Sequence, residues 1–209
     1  MRGIRRSLCG GLILGKYRRL EYIKNESSAY IDTGYAIIDN NFVMETKYSF
    51  IFTDSEQKVA GCGILNDPAA WYDISCGRQR YSKNMEWILG DGYYLNGIRS
   101  LSNDIYITRL NIPKLITTVS NLSEGTSQTI HFRYKDLSKV PYQNWFLFTA
   151  SGYYPQQFHG KLYYTKMWHN NKLIRDFIPV QRLSGEMGML DKVEGKFYTS
   201  PNGVAFNGK

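Results

Sequence analysis

Hydrophobic and polar residues alternate along much of the chain in runs of strand length. The clearest run covers residues 42–52, FVMETKYSFIF, where Phe42, Met44 and four later positions share one face, interrupted in its apolar character only by Thr46. Glu45 and Lys47 belong to the opposite face. A period of two over eleven residues is typical of a half-buried β-strand, so the pattern predicts a long strand here.

Shorter runs of the same kind recur, separated by Gly, Asn, Asp and Ser. They lie at 20–24, 29–32, 58–62, 70–76, 86–89, 114–121, 129–134, 145–149, 187–191 and 196–199. No helical periodicity extends beyond two turns, so strands do not alternate with helices as they do in βαβ folds. About a dozen short strands in one chain predict an all-β protein, an antiparallel two-sheet sandwich of the jelly-roll kind.

A hairpin is predicted near the C-terminus. Residues 161–169, KLYYTKMWH, and 172–179, KLIRDFIP, flank the pair Asn170-Asn171. Asparagine tolerates the left-handed conformation that a two-residue hairpin turn requires. Pro179 cannot donate a ladder hydrogen bond, so it is expected to end regular pairing or to lie at an edge.

The positive charge is concentrated at the N-terminus. Six basic residues and no acid lie within residues 1–19, while the other 190 residues carry 20 basic and 18 acidic groups. The nearly neutral body argues against a nucleic-acid-binding domain. No apolar run approaches the roughly 20 residues of a membrane span. We therefore predict a basic arm, residues 1–19, ahead of one domain, residues 20–209.

Two ends of the chain carry recognisable motifs. Residues 19–23, RLEYI, and 29–35, AYIDTGY, resemble the opening of concanavalin A-like (laminin-G-like) domains of phage and prophage structural proteins. The closing stretches GKLY at 160–163, LIRDFIP at 173–179, GMLD at 188–191, GKFYT at 195–199 and FNG at 206–208 are similar to the same group. The resemblance covers residues 19–209, with a middle part that matches no motif.

The resemblance implies a jelly-roll sandwich whose two chain ends lie in neighbouring strands. It also implies a structural protein of a tailed phage or prophage, as a capsid decoration, fibre or tail-associated component. The expected location is the virion, after synthesis in the cytoplasm of the host bacterium. The alternative is a carbohydrate-binding receptor-recognition or adhesin module that contacts bacterial surface glycans.

The arm would attach such a protein to other virion proteins. Its arginines can pair with carboxylates and its apolar side chains can enter pockets of a partner. The candidate anchoring residues are Arg2, Arg5, Arg6, Leu12, Ile13, Leu14, Arg18 and Arg19. A bacterial surface glycan and a second copy of the chain remain open as further partners.

A glycoside hydrolase is the third reading, and the carboxylates argue against it. Retaining glycosidases need two carboxyl groups about 5–5.5 Å apart. The E-x-D-x-E spacing of glucanases with this fold is absent, since Asp54 and Glu56 lack a third acid and Glu86 and Asp91 differ in parity. His131, His159 and His169 lie in no catalytic motif. We expect no enzyme activity.

Sugar binding would use aromatic rings beside polar side chains in the middle of the chain, against the alternative that these rings pack in the core. The candidates are Trp71, Tyr72, Asp73, Trp87, Tyr93, Tyr94 and Asn96.

No cofactor is expected, and no metal motif is present. No calcium-binding motif is present, but acids of separate loops could still assemble a calcium site. The candidates are Asp32, Asp67, Asp73 and Asp104. Cys9, Cys62 and Cys76 are odd in number and lack CxxC spacing, which does not favour a disulfide scaffold.

Overall fold

The computed structural model describes residues 14–37, 39–51, 56–64, 72–78, 84–90, 92–132, 144–150 and 157–209. Within this part of the chain, every pairing between named strands is antiparallel, and the strands form two sheets. Two short 3-10 turns, at Leu14–Lys16 and Ile112–Lys114, are the helical elements here. The sequence-based prediction of an all-β, antiparallel two-sheet sandwich is thus confirmed.

The larger sheet contains eleven of the described strands. Its main path runs β11-β10-β9-β4-β13-β14-β15-β16, with β1, β2 and β17 attached at its side. The bounds are β1 Tyr17–Arg19, β2 Ile23–Asn25, β4 Phe42–Phe50, β9 Ile105–Asn111, β10 Ile116–Asn121, β11 Thr126–His131, β13 Gly160–His169, β14 Lys172–Arg182, β15 Met187–Asp191, β16 Lys196–Tyr198 and β17 Asn207–Gly208.

The smaller sheet contains six described strands in the order β3-β12-β5-β6-β7-β8. The bounds are β3 Ile31–Ala36, β5 Gln57–Ile64, β6 Tyr72–Arg78, β7 Asn84–Gly90, β8 Gly92–Arg99 and β12 Asn144–Leu147. Side chains of both sheets meet in one core cluster. Phe42 of the larger sheet, for example, packs on Trp145 of the smaller sheet with ring centres 5.1 Å apart.

Strand β4 confirms the period-two prediction. Phe42, Met44 and Phe50 have no exposed surface, whereas Glu45 and Lys47 on the other face are half-buried. Thr46, the polar residue on the apolar face, is also buried, and its hydroxyl lies 2.9 Å from that of Thr165. A hydrogen bond between the two hydroxyls removes the cost of burying them.

The hairpin of β13 and β14 is also confirmed. His169 pairs with Lys172, and the two turn residues Asn170 and Asn171 have φ of 50° and 61°. The expectation that Pro179 ends regular pairing or lies at an edge is wrong. Strand β14 continues through Pro179, which pairs with Met189 of β15. The Pro179 carbonyl accepts a hydrogen bond from the backbone N–H of Leu20, so pairing continues at a residue that has no N–H.

The N-terminal boundary of the sandwich lies earlier than the sequence indicates. Tyr17–Arg19, assigned to the arm, form β1 and pair with β14, Arg18 opposite Gln181 and Arg19 opposite Val180. Leu14 belongs to the preceding 3-10 turn. Both arginines are therefore exposed strand residues of the sheet. Arg2, Arg5, Arg6, Leu12 and Ile13 lie outside the described residues.

Strand β1 completes a small apolar cluster on the outer face of the larger sheet, the face that points away from the smaller sheet. Ile178, Val180 and Leu190 are at most 5% exposed there. The Tyr17 and Phe197 rings pack against them and stack on each other, with centres 5.8 Å apart. We call these five residues the sealed patch.

The two ends of the domain lie side by side, as the resemblance implied. Strand β17 near the C-terminus pairs with β2, Asn207 opposite Lys24.

In the parts of the chain that are described, none of the helical elements has the length and apolar character needed to cross a membrane.

Candidate functional site on the outer face of the larger sheet

Half-buried aromatic and basic side chains follow β13 on the outer face of the larger sheet. Leu162, Thr165 and Met167 of this strand have no exposed surface and face the core, whereas the residues between them are half-buried. Side chains of β4, of β9 and of Tyr22, the residue before β2, contact the outward residues. Together they form the aromatic–basic row: Tyr22, Glu45, Lys47, Arg109, Lys161, Tyr163, Tyr164, Lys166 and Trp168.

A β-bulge places two consecutive tyrosines on this face. The register of β13 against β4 shifts between Leu162 and Tyr164. In a regular strand, consecutive side chains point to opposite faces, and a bulge changes this alternation. The Tyr163 ring therefore contacts Lys47, and the Tyr164 hydroxyl donates a hydrogen bond to Glu45 Oε1 at 3.0 Å, both from outward positions of β4.

At one end of the row two tyrosines meet two lysines. The rings of Tyr22 and Tyr163 pack edge to face with centres 5.8 Å apart. Lys161 Nζ lies 4.8 Å from the centre of the Tyr22 ring, and Lys47 Nζ lies 5.0 Å from that of Tyr163. At these distances the ring quadrupole attracts the cation and holds the flexible lysine beside the ring.

The other end is built around a tryptophan. The Arg109 guanidinium lies 5.1 Å from the centre of the Trp168 ring and donates from Nη1 to Glu45 Oε2 at 2.9 Å. Glu45 also accepts the Tyr164 hydroxyl, so one carboxylate fixes both neighbours. Lys166 Nζ lies 5.7 Å from the centre of the Tyr164 ring.

The hydroxyls of Tyr163 and Tyr164 remain protonated at neutral pH. Burial raises the pKa of Tyr163, and the nearby Glu21 carboxylate raises it further. Burial and the Glu45 carboxylate likewise raise the pKa of Tyr164. Both hydroxyls therefore remain neutral donors, as a site that binds hydroxyl or carboxylate oxygens requires.

The row carries a net positive charge. Four cations, Lys47, Arg109, Lys161 and Lys166, lie against its rings, while the carboxylates of Glu45 and Glu21 lie beside them. Two positive charges remain after this balance. Flat rings next to charged N–H donors can stack on a ligand and also bind its oxygens.

A second polar cluster, around Arg175, connects the two sheets. Arg175 Nη1 lies 2.6 Å from Glu194 Oε1, and its Nε lies 3.6 Å from Asp191 Oδ2 and donates to the Thr33 carbonyl of β3 at 3.4 Å. The Tyr198 hydroxyl donates to Glu194 Oε2 at 2.8 Å, and burial raises the Tyr198 pKa to about 12. One guanidinium thus forms ion pairs with both carboxylates of the larger sheet and a hydrogen bond to the smaller sheet.

Six of the seven sugar-binding candidates from the sequence lie in strands of the smaller sheet. Register places Trp87 between Cys76 and Tyr94, and Asp73 between Gly63 and Gly90. The three neighbouring strands β6 to β8 contain Tyr72, Asp73, Trp87, Tyr93, Tyr94 and Asn96. Their side chains and all of Trp71 lie outside the described residues, so their role in sugar binding stays a prediction.

The described histidines occupy separate places. His131 is exposed at the end of β11, and His169 Nε2 lies 3.0 Å from Asp39 Oδ2 at the hairpin. Burial would by itself raise the pKa of Asp39, but the hydrogen bonds from His169 and Asn41 outweigh it and lower the pKa. Burial lowers the pKa of His159, which precedes β13.

The acids considered for hydrolysis and for calcium have protein partners where they are described. Glu56 Oε1 lies 3.0 Å from Lys58 Nζ. Asp32 accepts a hydrogen bond from Asn144, and Asp104 accepts one from Asn121. Asp54, Asp67 and Asp91 and the side chains of Asp73 and Glu86 lie outside the described residues. Across the described side chains, no three or more His, Cys, Asp and Glu are grouped to hold a metal ion.

Sequence reasoning identified β13 as a hairpin strand and did not recognise its outward residues as a site. The signal was present in KLYYTKMWH, where lysines and aromatic residues are interleaved. What the sequence does not reveal is the bulge at Tyr163 and Tyr164, or that Tyr22, Lys47 and Arg109 from distant segments reach the same face.

Known proteins resemble this chain in structure and not in sequence. No protein-family model matches the chain, and no curated protein matches it in sequence. Among solved structures, a putative carbohydrate-binding protein from Bacteroides ovatus is similar over 91% of this chain and 60% of its own, with a TM-score of 0.58 and 14% identity.

The enzymatically active domain of bacteriophage CBA120 tailspike protein 2 is similar over 79% of this chain and 30% of its own, with a TM-score of 0.55 and 12% identity. The chain thus spans less than two thirds of either protein. At these identities the similarity establishes a shared β-sandwich fold.

Proposed function

We propose that this chain is a non-enzymatic carbohydrate-binding module of a tailed-phage or prophage particle, and that the aromatic–basic row binds glycans of the bacterial surface. The observation that carries the proposal is the continuous surface of half-buried rings and N–H donors along β13. The fold shared with a tailspike domain and a putative carbohydrate-binding protein supports the same reading.

The row offers both kinds of contact that a sugar needs. The apolar face of a pyranose stacks on an aromatic ring, for which Tyr22, Tyr163 and Trp168 are available. Its hydroxyls then form hydrogen bonds with groups fixed beside the rings, such as Lys161 and Glu45. Because cation–π contacts and hydrogen bonds already hold these groups, little entropy is lost when they bind.

The non-enzymatic part of the proposal rests on the carboxylates. Asp191 and Glu194 are both held by Arg175, and Glu56 is paired with Lys58. The row itself contributes one hydrogen-bonded carboxylate, Glu45, whereas glycoside hydrolysis generally needs a pair.

Binding to a panel of bacterial surface polysaccharides tests the proposal. The wild-type protein is expected to bind at least one of them, and Tyr163→Ala is expected to weaken this binding about fivefold, since a stacked ring contributes about 1 kcal/mol. Tyr93→Ala in β8 is the matched control and should leave binding unchanged. Equal binding by Tyr163→Ala, or loss of binding in Tyr93→Ala alone, would place the site elsewhere.

The virion location is tested by truncation. A chain that begins at Tyr17 keeps β1 and all later strands, so it should melt at the temperature of the full chain. If residues 1–16 anchor the protein to other virion proteins, the truncated chain should fail to join particles that lack the native protein. Normal incorporation would contradict an anchoring role.

A further inference from the structure

We infer that the glycan bound by the aromatic–basic row is anionic, a polysaccharide that carries carboxylate or phosphate groups along its chain. This inference rests on the proposed function and adds the chemical class of the ligand. The inference is drawn from the charged groups beside the rings. A neutral sugar could stack on the rings alone, so the set of cations indicates a ligand with negative charge.

The cations of the row retain free donors. Lys47 and Lys161 each direct an ammonium group toward a tyrosine ring, and an ammonium group has three N–H donors. Arg109 uses Nη1 for Glu45, and a guanidinium has five N–H donors. Each cation can therefore hold its ring and still donate to an anionic oxygen, which gives the stronger, charge-assisted type of hydrogen bond.

The cations are distributed along the strand instead of gathered at one point. Lys161 and Lys166 lie on β13 itself, Lys47 and Arg109 on the two strands beyond it. From Lys161 to Lys166 the strand covers about 17 Å at about 3.3 Å per residue. A ligand whose negative charges repeat along a chain can therefore meet cations at both ends of the row.

Single-stranded nucleic acid is the competing polymer, since bases also stack on aromatic rings between cations. The carboxylates favour the glycan. Glu45 lies within the row and Glu21 lies near Tyr163. A carboxylate accepts hydrogen bonds from hydroxyl groups. The units of a glycan carry such hydroxyls, whereas the backbone of a DNA strand has none, so these two groups contribute to binding a glycan and not to binding DNA.

Affinity electrophoresis with matched polymers tests the inference. The probes are polygalacturonate and its neutral methyl ester, alginate, polysialic acid, a glycerol-phosphate teichoic acid, neutral dextran and a single-stranded oligonucleotide. The full-length protein should be retarded by at least one acidic glycan and not by the neutral polymers. Retardation by the carboxylate polymers or by the teichoic acid identifies the source of the charge.

Variants separate this site from simple ion exchange. Lys47→Gln and Lys161→Gln should each weaken binding about tenfold, as expected for a charged hydrogen bond. Lys196→Gln is the matched control, because Lys196 lies 4.7 Å from the Tyr198 ring centre in β16, away from the row, and it should bind like wild type. Raising salt from about 50 mM to about 500 mM should weaken wild-type binding far more than that of the double variant.

The outcomes distinguish the two proposals. If the protein binds acidic and neutral glycans equally, and Tyr163→Ala loses this binding, the inference of an anionic ligand is overturned and the carbohydrate-binding function stays in place. Preferential binding of the oligonucleotide would overturn the inference in favour of nucleic acid. If Lys196→Gln weakens glycan binding as much as the row variants do, the binding is nonspecific charge attraction and the inference is overturned. No retardation by any glycan would contradict both proposals.

Discussion

The sealed patch and the aromatic–basic row lie on the same face of the larger sheet, and in both an arginine packs against an aromatic ring, but the surroundings of the two rings differ. In the sealed patch, Arg182 lies 4.1 Å from the centre of the Phe197 ring, and in the aromatic–basic row Arg109 lies 5.1 Å from that of Trp168. Beneath Phe197 are aliphatic side chains that are at most 5% exposed, whereas the groups around Trp168 and the tyrosines are charged. A ring that covers aliphatic side chains contributes to stability, and a ring among charged donors is available to a ligand.

The largest expected effect separates the regions by stability. Leu190→Ala removes a side chain of the sealed patch that is 1% exposed, and it should lower the free energy of unfolding by about 2–4 kcal/mol. Urea denaturation measures this change, and glycan binding at a temperature where the variant is folded should remain that of wild type. A variant with wild-type stability and weakened binding would show that the patch belongs to the binding site.

The hairpin that joins the two regions should be sensitive at one turn position. β13 carries the row, β14 carries part of the sealed patch, and Asn171 between them has a φ of 61°. Asn171→Gly should be neutral or stabilising, because glycine adopts positive φ without strain. Asn171→Val should destabilise the protein by about 1–2 kcal/mol, since a β-branched residue is strained there. Identical melting temperatures for all three proteins would contradict the turn conformation.

The row should respond in the opposite way to the patch. Trp168→Ala removes a half-buried ring and its contact with Arg109, so we expect about tenfold weaker glycan binding. The loss of the cation–π contact and of the ring's partial burial should together lower the free energy of unfolding by about 1–2 kcal/mol. Calorimetry of binding and urea denaturation on the same samples give both values. A stability loss as large as that of Leu190→Ala would mean that Trp168 is a structural residue.

The smallest effect is a pH dependence of stability at the base of β13. Burial lowers the pKa of His159 below the value of 6.5 usual for a free histidine. The unfolded chain therefore binds the proton more readily, and stability that is present above pH 6.5 is lost as the pH falls toward the folded pKa. His159→Gln should show a flatter stability profile between about pH 7.5 and pH 5. An unchanged profile would assign the dependence to another group.

The residues that the sequence predicts well are those whose pattern is local. The alternation in β4 and the Asn170-Asn171 turn depend on neighbours within a few positions, and both are confirmed. Strand β9 was missed because Ile105 and Ile107 lie on its outward face while Tyr106 and Leu110 face the core. Apolar residues on both faces remove the alternation that indicates a half-buried strand.

The binding row could not be predicted in the same way. Its rings and cations come from β4, β9, β13 and the residue before β2, and the register that brings them together is a property of the folded sheet. The consecutive tyrosines at 163 and 164 share a face only because of the bulge, which no residue type marks. The sequence instead favoured Trp87 and Tyr94, which lie in the smaller sheet.

The direct test is to map the amide chemical-shift changes of the isotope-labelled protein on titration with the glycan it binds most tightly. The account predicts changes centred on Tyr22, Lys47, Lys161–Trp168 and Arg109, with the strands of the smaller sheet unaffected. Changes centred on β6 to β8, around Trp87 and Tyr94, with the row unmoved, would contradict it and assign binding to the site that the sequence alone suggested.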